Sequence, residues 1–184
     1  LIAKDPYERS LLGLFLAFQY PIELPGVTNA SYLKQILNAH RKSRGENPID
    51  AGEFLKILKE KSKNLNIPMD MHSRFVNAGF SGGEKKKNEV LQMDLLDPSL
   101  IIMDETDSGL DVDALKSTSE AVNKLRDGKR SFLIITHYLR LLEYIEPDHV
   151  HVFGDGSIIE SGDKSLASRI DNEGYEVKWS QLAL

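Results

Sequence analysis

Two short apolar runs that each end in polar residues constrain the fold of this chain most strongly. Residues 100–103 are followed at once by Asp104 and Glu105, and residues 132–136 are followed by His137. Short apolar runs separated by amphipathic helical segments are typical of parallel strands that are covered on both faces. Polar groups at the carboxyl ends of such strands collect at one edge of the sheet. The sequence therefore predicts an α/β fold with Asp104, Glu105 and His137 at one edge of a parallel sheet.

A glycine turn precedes the first of these runs. We expect Ser81, Gly82, Gly83 and Glu84 to open a helix that runs to about Leu96 and is buried on most faces, because it is apolar on most of them. The N-terminus of a helix presents backbone N–H groups to phosphate, and glycine allows a phosphate to approach closely. Taken alone, this Ser-Gly-Gly sequence is a weak signal and is more often an ordinary helix cap.

The rest of the chain is predicted to form three further regions around this core. Residues 1–28 contain a core strand and the polar residue Gln19, and residues 29–79 are mainly helical. Asn29 can cap the first helix of that block. Residues 80–162 carry the catalytic core and end in a β-hairpin, and residues 163–184 form a C-terminal tail that begins with a polar helix.

Composition limits the possible partners and metal ligands. The net charge of −5 gives no general attraction for nucleic acid, and the densest basic run, residues 85–87, is expected to be a solvated helix face. No run approaches the roughly 18 apolar residues that a membrane span needs, so we expect no direct membrane insertion. The chain has no cysteine, which leaves oxygen or histidine ligands for any metal.

The adjacent acids suggest chemistry on a phosphate. Asp104 is placed to bind Mg²⁺, and Glu105 to polarise the water that attacks the γ-phosphate of ATP, since the metal needs hard oxygen and the water needs a proton acceptor. The alternative is that both acids cap the next helix or lie in a surface turn. His137 alone would usually be a core histidine, and Gln19 alone carries little information.

These segments, in this order, resemble the ABC-type ATPase domain over essentially the whole chain. Gln19 matches the Q-loop, residues 81–84 the signature, residues 100–105 the Walker B strand, residues 108–111 the D-loop, and His137 the switch histidine.

The resemblance implies a head-to-tail dimer, in which each ATP lies between the Walker motifs of one subunit and the signature of the other. It implies that Gln19 and Asp104 contact Mg²⁺ and that Glu105 and His137 are catalytic. It further implies nucleotide contacts for Gln19, Ser81, Gly82, Gly83, Glu84 and Asp111, with Asp111 also communicating across the dimer.

One motif of such a domain is absent from these residues. A P-loop requires the pattern G-x-x-x-x-G-K-[ST], but the only Gly-Lys pair is Gly128-Lys129, and Asn123 stands five positions before Gly128. We therefore expect the chain to be a C-terminal portion, with the P-loop on the order of 60 residues before Gln19. We also expect that this portion alone does not turn over ATP.

Several longer runs narrow the resemblance to the SufC family, the ATPases of the SUF iron–sulfur cluster assembly system. These runs are residues 15–21, 80–86, 103–111 and 136–138, and Thr106 stands where transporter ATPases usually have proline. The resemblance implies ATP and Mg²⁺ as cofactors and the SufB–SufD scaffold as partner. It places the protein in the cytoplasm, or alternatively in the plastid stroma.

The same resemblance implies that residues 20–27 and the helical block dock the scaffold, although a turn packed on its own domain fits residues 20–27 equally well. Two other readings of the whole chain stay open. It could be the ATPase subunit of a membrane importer, or a non-catalytic binding module without a P-loop.

Overall fold

The computed structural model describes residues 1–173, which form helices and short strands. The chain divides into two units, Leu1–Thr136 and a second unit that begins at His137. The elements of the first unit are α1 (Pro6–Leu11), β1 (Leu14–Ala17), β2 (Leu24–Thr28), α2 (Asn29–Ser43), α3 (Ala51–Asn64), a 3-10 helix (Met69–Ser73), β3 (Phe75–Val76), α4 (Gly82–Leu96), β4 (Leu100–Asp104), α5 (Val112–Leu125) and β5 (Ser131–Ile135). The second unit contains α6 (Leu141–Tyr144), β6 (Val150–Gly154), β7 (Ser157–Gly162) and α7 (Lys164–Glu173). The predicted tail, residues 163–184, lies outside the described residues beyond position 173.

The central sheet of the first unit is parallel, with strand order β1-β4-β5. This confirms the predicted α/β class. Leu16, Ile102 and Leu133 are paired across the three strands and therefore share one face. The opposite face contains Ile101 and Met103, which are buried.

The expectation that both faces of this sheet are covered is not met within residues 1–173, where one face is partly exposed. Leu16 is 38% exposed, Leu133 50% and Ile135 47%, and all three lie on the same face. The connections from β1 to β4 and from β4 to β5 both contain helices and run in the same direction across the sheet. Right-handed crossovers place both sets of helices on one face, so neither of these two connections covers the other face.

Both long helices of the block between β1 and α4 bury an apolar stripe, and both pack against α4. Leu33 and Leu37 of α2 and Phe54 and Leu58 of α3 are buried at helical spacing. The N-cap of α2 is Thr28, whose side chain accepts from the N–H of Ser31.

The predicted cap Asn29 is thus displaced by one position. Asn29 is instead the first residue of the helix and is fully buried, because its amide joins a network of buried polar side chains. Asp50 caps α3 as its sequence position suggests, accepting from Glu53 N–H at 2.9 Å.

The second unit contains the predicted hairpin and the helix after it. Strands β6 and β7 are antiparallel, and the turn between them places Asp155 and Gly156 at positive φ. Leu166 and Ala167 of α7 are buried. Within residues 1–173, none of the helices combines the length and the apolar character that crossing a membrane requires.

Candidate functional site

Gln19 and Glu105 meet at the carboxyl edge of the sheet. Ala17 of β1 pairs with Met103 of β4, and each of the two site residues stands two positions beyond its strand partner. Because neighbouring parallel strands end at the same edge, the chain brings the two side chains together. The side-chain nitrogen Nε2 of Gln19 donates to Oε2 of Glu105 at 2.7 Å.

The backbone at Glu105 is fixed on both sides. Its N–H donates to the carbonyl of Ile135 at 2.9 Å, and its own carbonyl accepts from Ser108 N–H at 3.0 Å. The residue has a φ of +44°, in the left-handed region. The carboxylate is therefore held at the sheet edge by an unusual backbone conformation, which the neighbouring strand supports.

The residues at this edge suit a hydrated magnesium ion. Asp104 ends β4 and is exposed, and the Gln19 nitrogen contacts Glu105, which leaves the amide oxygen as the group to face a metal. No cluster of three or more His, Cys, Asp or Glu side chains suited to a metal occurs among residues 1–173. Mg²⁺ commonly uses only one or two carboxylates and takes its other ligands from water and phosphate, so this donor set fits it.

Asp107 is a buried acid near this edge that sequence reasoning did not single out. Its Oδ2 accepts from the hydroxyl of Thr136 at 2.7 Å, and its Oδ1 has no hydrogen-bond partner among the described residues. The contact ties the turn after β4 to the end of β5. Position 107 lies in a polar turn sequence, so nothing local marks the residue as buried.

The predicted signature residues begin α4. Ser81 is the N-cap, and it forms a reciprocal capping box with Glu84: the Ser81 N–H donates to Oε2 of Glu84 at 2.7 Å, and the Glu84 N–H donates to the serine hydroxyl at 3.2 Å. The hydrogen bond from the Ser81 N–H is the main cause that lowers the pKa of the Glu84 carboxyl, and Arg74 at 3.1 Å contributes to the same shift.

The signature residues also line a cavity of about 620 Å³ together with residues 109–111. Its walls are Asn66, Ile67, Pro68, Met71, Ser81, Gly82, Gly83, Glu84, Lys87, Gly109, Leu110, Asp111, Asp113, Ala114 and Ser117. A volume of this size suits a small molecule. Asp111 caps α5, accepting from Ala114 N–H at 2.7 Å. A side chain at Gly83 would place a Cβ only 3.3 Å from the Cβ of Ala114, so glycine there permits close packing of α4 on α5.

The structure thus sorts the predicted residues of the first unit into two groups. Gln19, Asp104 and Glu105 lie at the sheet edge and are not among the residues that line the cavity. Ser81, Gly82, Gly83, Glu84 and Asp111 surround the cavity. His137 begins the second unit, is exposed, and has its ring centroid 4.0 Å from that of Tyr138.

The prediction that residues 85–87 form a solvated helix face is wrong for Lys86. Lys86 is buried and pairs with the buried Glu89, with 3.0 Å between Nζ and Oε2. Burial raises the pKa of the Glu89 carboxyl, against the opposing effect of the Lys86 ammonium. The charges in the sequence do not by themselves indicate that Lys86 and Glu89 are buried as a pair. The one hint in the sequence is the i, i+3 spacing of opposite charges within an otherwise buried helix.

Relatives of this chain were found by sequence. The chain is 52% identical over 175 residues to the probable ATP-dependent transporter SufC of Escherichia coli, covering 95% of the chain and 71% of that protein. It is 50% identical to the probable ATP-dependent transporter slr0075 of Synechocystis over 96% of the chain and 69% of that protein. It is also 51% identical to the iron-sulfur cluster assembly protein SufC of Plasmodium falciparum, over 91% of the chain and 48% of that protein. No protein-family model matches the chain.

Solved structures show the same fold at low sequence identity. The ATP-binding cassette MJ0796, in a dimeric post-hydrolysis state bound to ADP and Pi, superposes with a TM-score of 0.72 at 15% identity, covering 88% of this chain and 68% of that one. The ADP conformation of the cassette MJ1267 gives a TM-score of 0.69 at 24% identity, over 93% and 69% of the two chains. The parallel sheet, these cassette folds and the sequence relatives agree, and the chain belongs to the SufC family of ABC-type ATPases.

Proposed function

We propose that Glu105 is the general base for ATP hydrolysis and that Gln19 orients it. The hydrogen bond from Gln19 Nε2 to Glu105 Oε2, at 2.7 Å, is the observation that carries this proposal. A carboxylate can accept the proton of the attacking water. The hydrogen bond from Gln19 fixes the direction in which the Glu105 carboxylate points. Asp104 and the amide oxygen of Gln19 would hold Mg²⁺, which neutralises charge on the phosphates when it is bound.

The remaining predicted residues would complete the site. We assign a γ-phosphate contact to His137, since it follows β5, the strand beside β4. We assign Ser81, Gly82, Gly83, Glu84 and Asp111 to the ATP held by a second subunit in a head-to-tail dimer. Two observations support this assignment: the cavity is lined by a separate set of residues, and a cassette of the same fold has been solved as a dimer.

The first test replaces the base in the full-length protein. Glu105→Gln keeps the size of the side chain but cannot accept a proton, so we expect ATP turnover to fall by about 100-fold or more while ATP binding persists. Steady-state phosphate release and nucleotide titration measure the two effects. Glu120→Gln, an exposed position on α5, is the matched control. Unchanged turnover in Glu105→Gln would remove the proposed base.

We also infer that these 184 residues do not turn over ATP by themselves. None of their lysines follows the P-loop pattern, and a P-loop lysine is the group that grips the β- and γ-phosphates. The experiment compares phosphate release by the 184-residue chain with release by the full-length protein. Hydrolysis by the shorter chain that disappears in its Glu105→Gln variant would contradict the inference.

For the biological role we propose work on a SufB–SufD scaffold during iron–sulfur cluster assembly, in the cytoplasm or alternatively the plastid stroma. The naming of a relative as an iron-sulfur cluster assembly protein supports this role. We further propose a docking strip, defined here as the exposed apolar residues of the segment after Gln19: Tyr20, Ile22, Leu24 and Val27. Exposed apolar side chains close together are typical of protein interfaces.

A charge placed in the docking strip tests this proposal. Ile22 is 63% exposed, so Ile22→Asp should fold normally yet lower scaffold affinity at least tenfold, because a carboxylate would be buried without a partner. Ile158 in the second unit is 60% exposed and provides Ile158→Asp as the matched control. Titration against purified scaffold measures both. Full affinity in Ile22→Asp contradicts the docking strip, and co-purification with an integral-membrane protein would favour the transporter alternative.

A further inference from the structure

A buried ion pair on α4 contacts the main chain at Phe18 and Gln19. Lys86 is 4% exposed and Glu89 5%, and the two charges lie 3.0 Å apart. They stand three positions apart on one side of the helix that begins at the signature residues. Charges this well buried need further hydrogen-bond partners to offset their lost hydration.

The further partners are main-chain groups of Phe18 and Gln19. Glu89 Oε1 accepts from the N–H of Phe18 at 3.0 Å. Lys86 Nζ donates to the carbonyl of Phe18 at 2.5 Å and to the carbonyl of Gln19 at 3.3 Å. The ion pair therefore engages both polar groups of the Phe18 main chain and the carbonyl of the next residue. These are charge-assisted bonds, which are stronger than bonds between neutral groups.

These main-chain hydrogen bonds adjoin the proposed catalytic contact, which the side chain of Gln19 makes. Gln19 Nε2 reaches Glu105 Oε2 at 2.7 Å, and a backbone shift of about 1 Å at Gln19 would lengthen that contact beyond hydrogen-bond range. Displacements of this size in positioning groups cost about 100-fold in rate.

We propose that Lys86 and Glu89 are positioning residues: they hold the main chain of Phe18 and Gln19 so that the Gln19 amide meets Glu105. The inference rests on the proposed role of Glu105. A stabilising role alone does not account for the pair, because apolar residues of similar volume are often as stabilising as a buried ion pair or more so. Such residues would leave the Phe18 and Gln19 main chain without these partners.

The test is the double variant Lys86→Met/Glu89→Leu in the full-length protein. We expect a melting temperature close to that of the unchanged protein, faster hydrogen exchange at the Phe18 amide, and a kcat for ATP lower by about tenfold or more with little change in KM. Exchange is followed by mass spectrometry on peptides that cover β1 and Gln19.

A second ion pair on the same helix provides the control. Lys61 of α3 lies 2.8 Å from Asp94 of α4 and joins the two helices. Lys61→Met/Asp94→Leu removes it in the same chemical way, and exchange at Phe18 and kcat should both stay unchanged.

Each outcome bears on the proposal. Unchanged exchange at Phe18, or faster exchange with unchanged kcat, in the Lys86→Met/Glu89→Leu variant overturns it. If that variant does not fold, Lys86→Gln/Glu89→Gln decides the matter: it leaves no buried charge, and the two amides can still bond the Phe18 main chain, so it should keep most of the protection and of kcat. A full loss of both in a folded Lys86→Gln/Glu89→Gln variant contradicts the proposal. If turnover by the unchanged protein does not depend on Glu105, the proposed function fails instead. The exchange measurement would still report whether the ion pair holds the main chain of Phe18 and Gln19.

Discussion

Glu105 combines a functional carboxylate with a backbone conformation that L-residues rarely adopt. Its φ of +44° places it in the left-handed region, and hydrogen bonds to Ile135 and Ser108 hold it there. Such a conformation costs a non-glycine residue about 1–2 kcal/mol. Strained residues persist where the surrounding structure over-determines them, and they are often found at functional sites.

The strain at Glu105 predicts an inverted order of stability for two substitutions. Glu105→Gly and Glu105→Ala both remove the carboxylate, but only glycine adopts positive φ without penalty. We expect the glycine variant to be more stable by about 1 kcal/mol, measured by urea unfolding. At Glu120, an exposed position inside α5, the same pair should show the opposite order by a similar amount. A less stable Glu105→Gly variant would mean that the backbone at this position is not strained.

At the scale of elements, a buried polar network joins α2, α3, α4 and the 3-10 helix. The amide nitrogen of Asn29 donates to Asn88 Oδ1 at 2.8 Å and contacts His72 Nδ1 at 3.1 Å, and His72 Nε2 lies 2.8 Å from the hydroxyl of Ser62. Because the Asn29 nitrogen can only donate, Nδ1 must accept, and the histidine proton sits on Nε2. The network therefore requires neutral His72.

The network predicts loss of stability in mild acid. Burial lowers the pKa of His72, although the charge of Asp70 opposes the shift. The unfolded chain takes up the proton near its ordinary pKa of about 6.5, whereas the folded chain resists it down to a lower pH. Stability is thus complete above about pH 6.5 and falls as the pH decreases, by at most about 1.4 kcal/mol per pH unit for this histidine.

Urea unfolding between pH 7.5 and 5.5 measures this dependence. His72→Gln removes the titrating group and should show a shallower slope. Some slope should remain, because the pKa of His40 is also lowered, by burial and by Arg44. Identical slopes in both proteins would show that His72 is not the group responsible.

At the scale of the whole molecule, the partly exposed face of the central sheet is the main departure from a closed α/β domain within residues 1–173. Leu16 on β1 and Leu133 and Ile135 on β5 have exposed apolar side chains, and the half-buried Ile102 of β4 lies between the two strands on the same face. Contiguous apolar surface of this kind marks an interaction site or favours association.

The open face predicts that the 184-residue chain binds an apolar fluorescent dye and associates at high concentration. Leu133→Thr should reduce both, since it removes apolar surface from the middle of the face while keeping a residue suited to a strand. Leu55, which is 55% exposed on α3, provides Leu55→Thr as the control. Dye fluorescence and sedimentation velocity measure the effects. Equal dye binding in all three proteins would argue against an accessible apolar face.

The sequence by itself was sufficient to predict the main elements of the parallel sheet, the helix after the signature and the positions of the acids. Apolar runs, caps and breakers act within a few residues, so α4 and β4 lie where local chemistry predicts them. Asp104 and Glu105 directly follow the apolar run of residues 100–103, which predicted their place at the edge of the sheet. The sheet was expected to be parallel because a helix connects each strand to the next.

Only the tertiary structure decided which of these residues meet and which are buried. The contact of Gln19 with Glu105 depends on the register between β1 and β4, which are far apart in the chain. The burial of Lys86 depends on what packs against α4, and a lysine within a basic run carries no local sign of it. The open sheet face has the same origin, since coverage of a strand is a property of its neighbours in space and not of its own apolar residues.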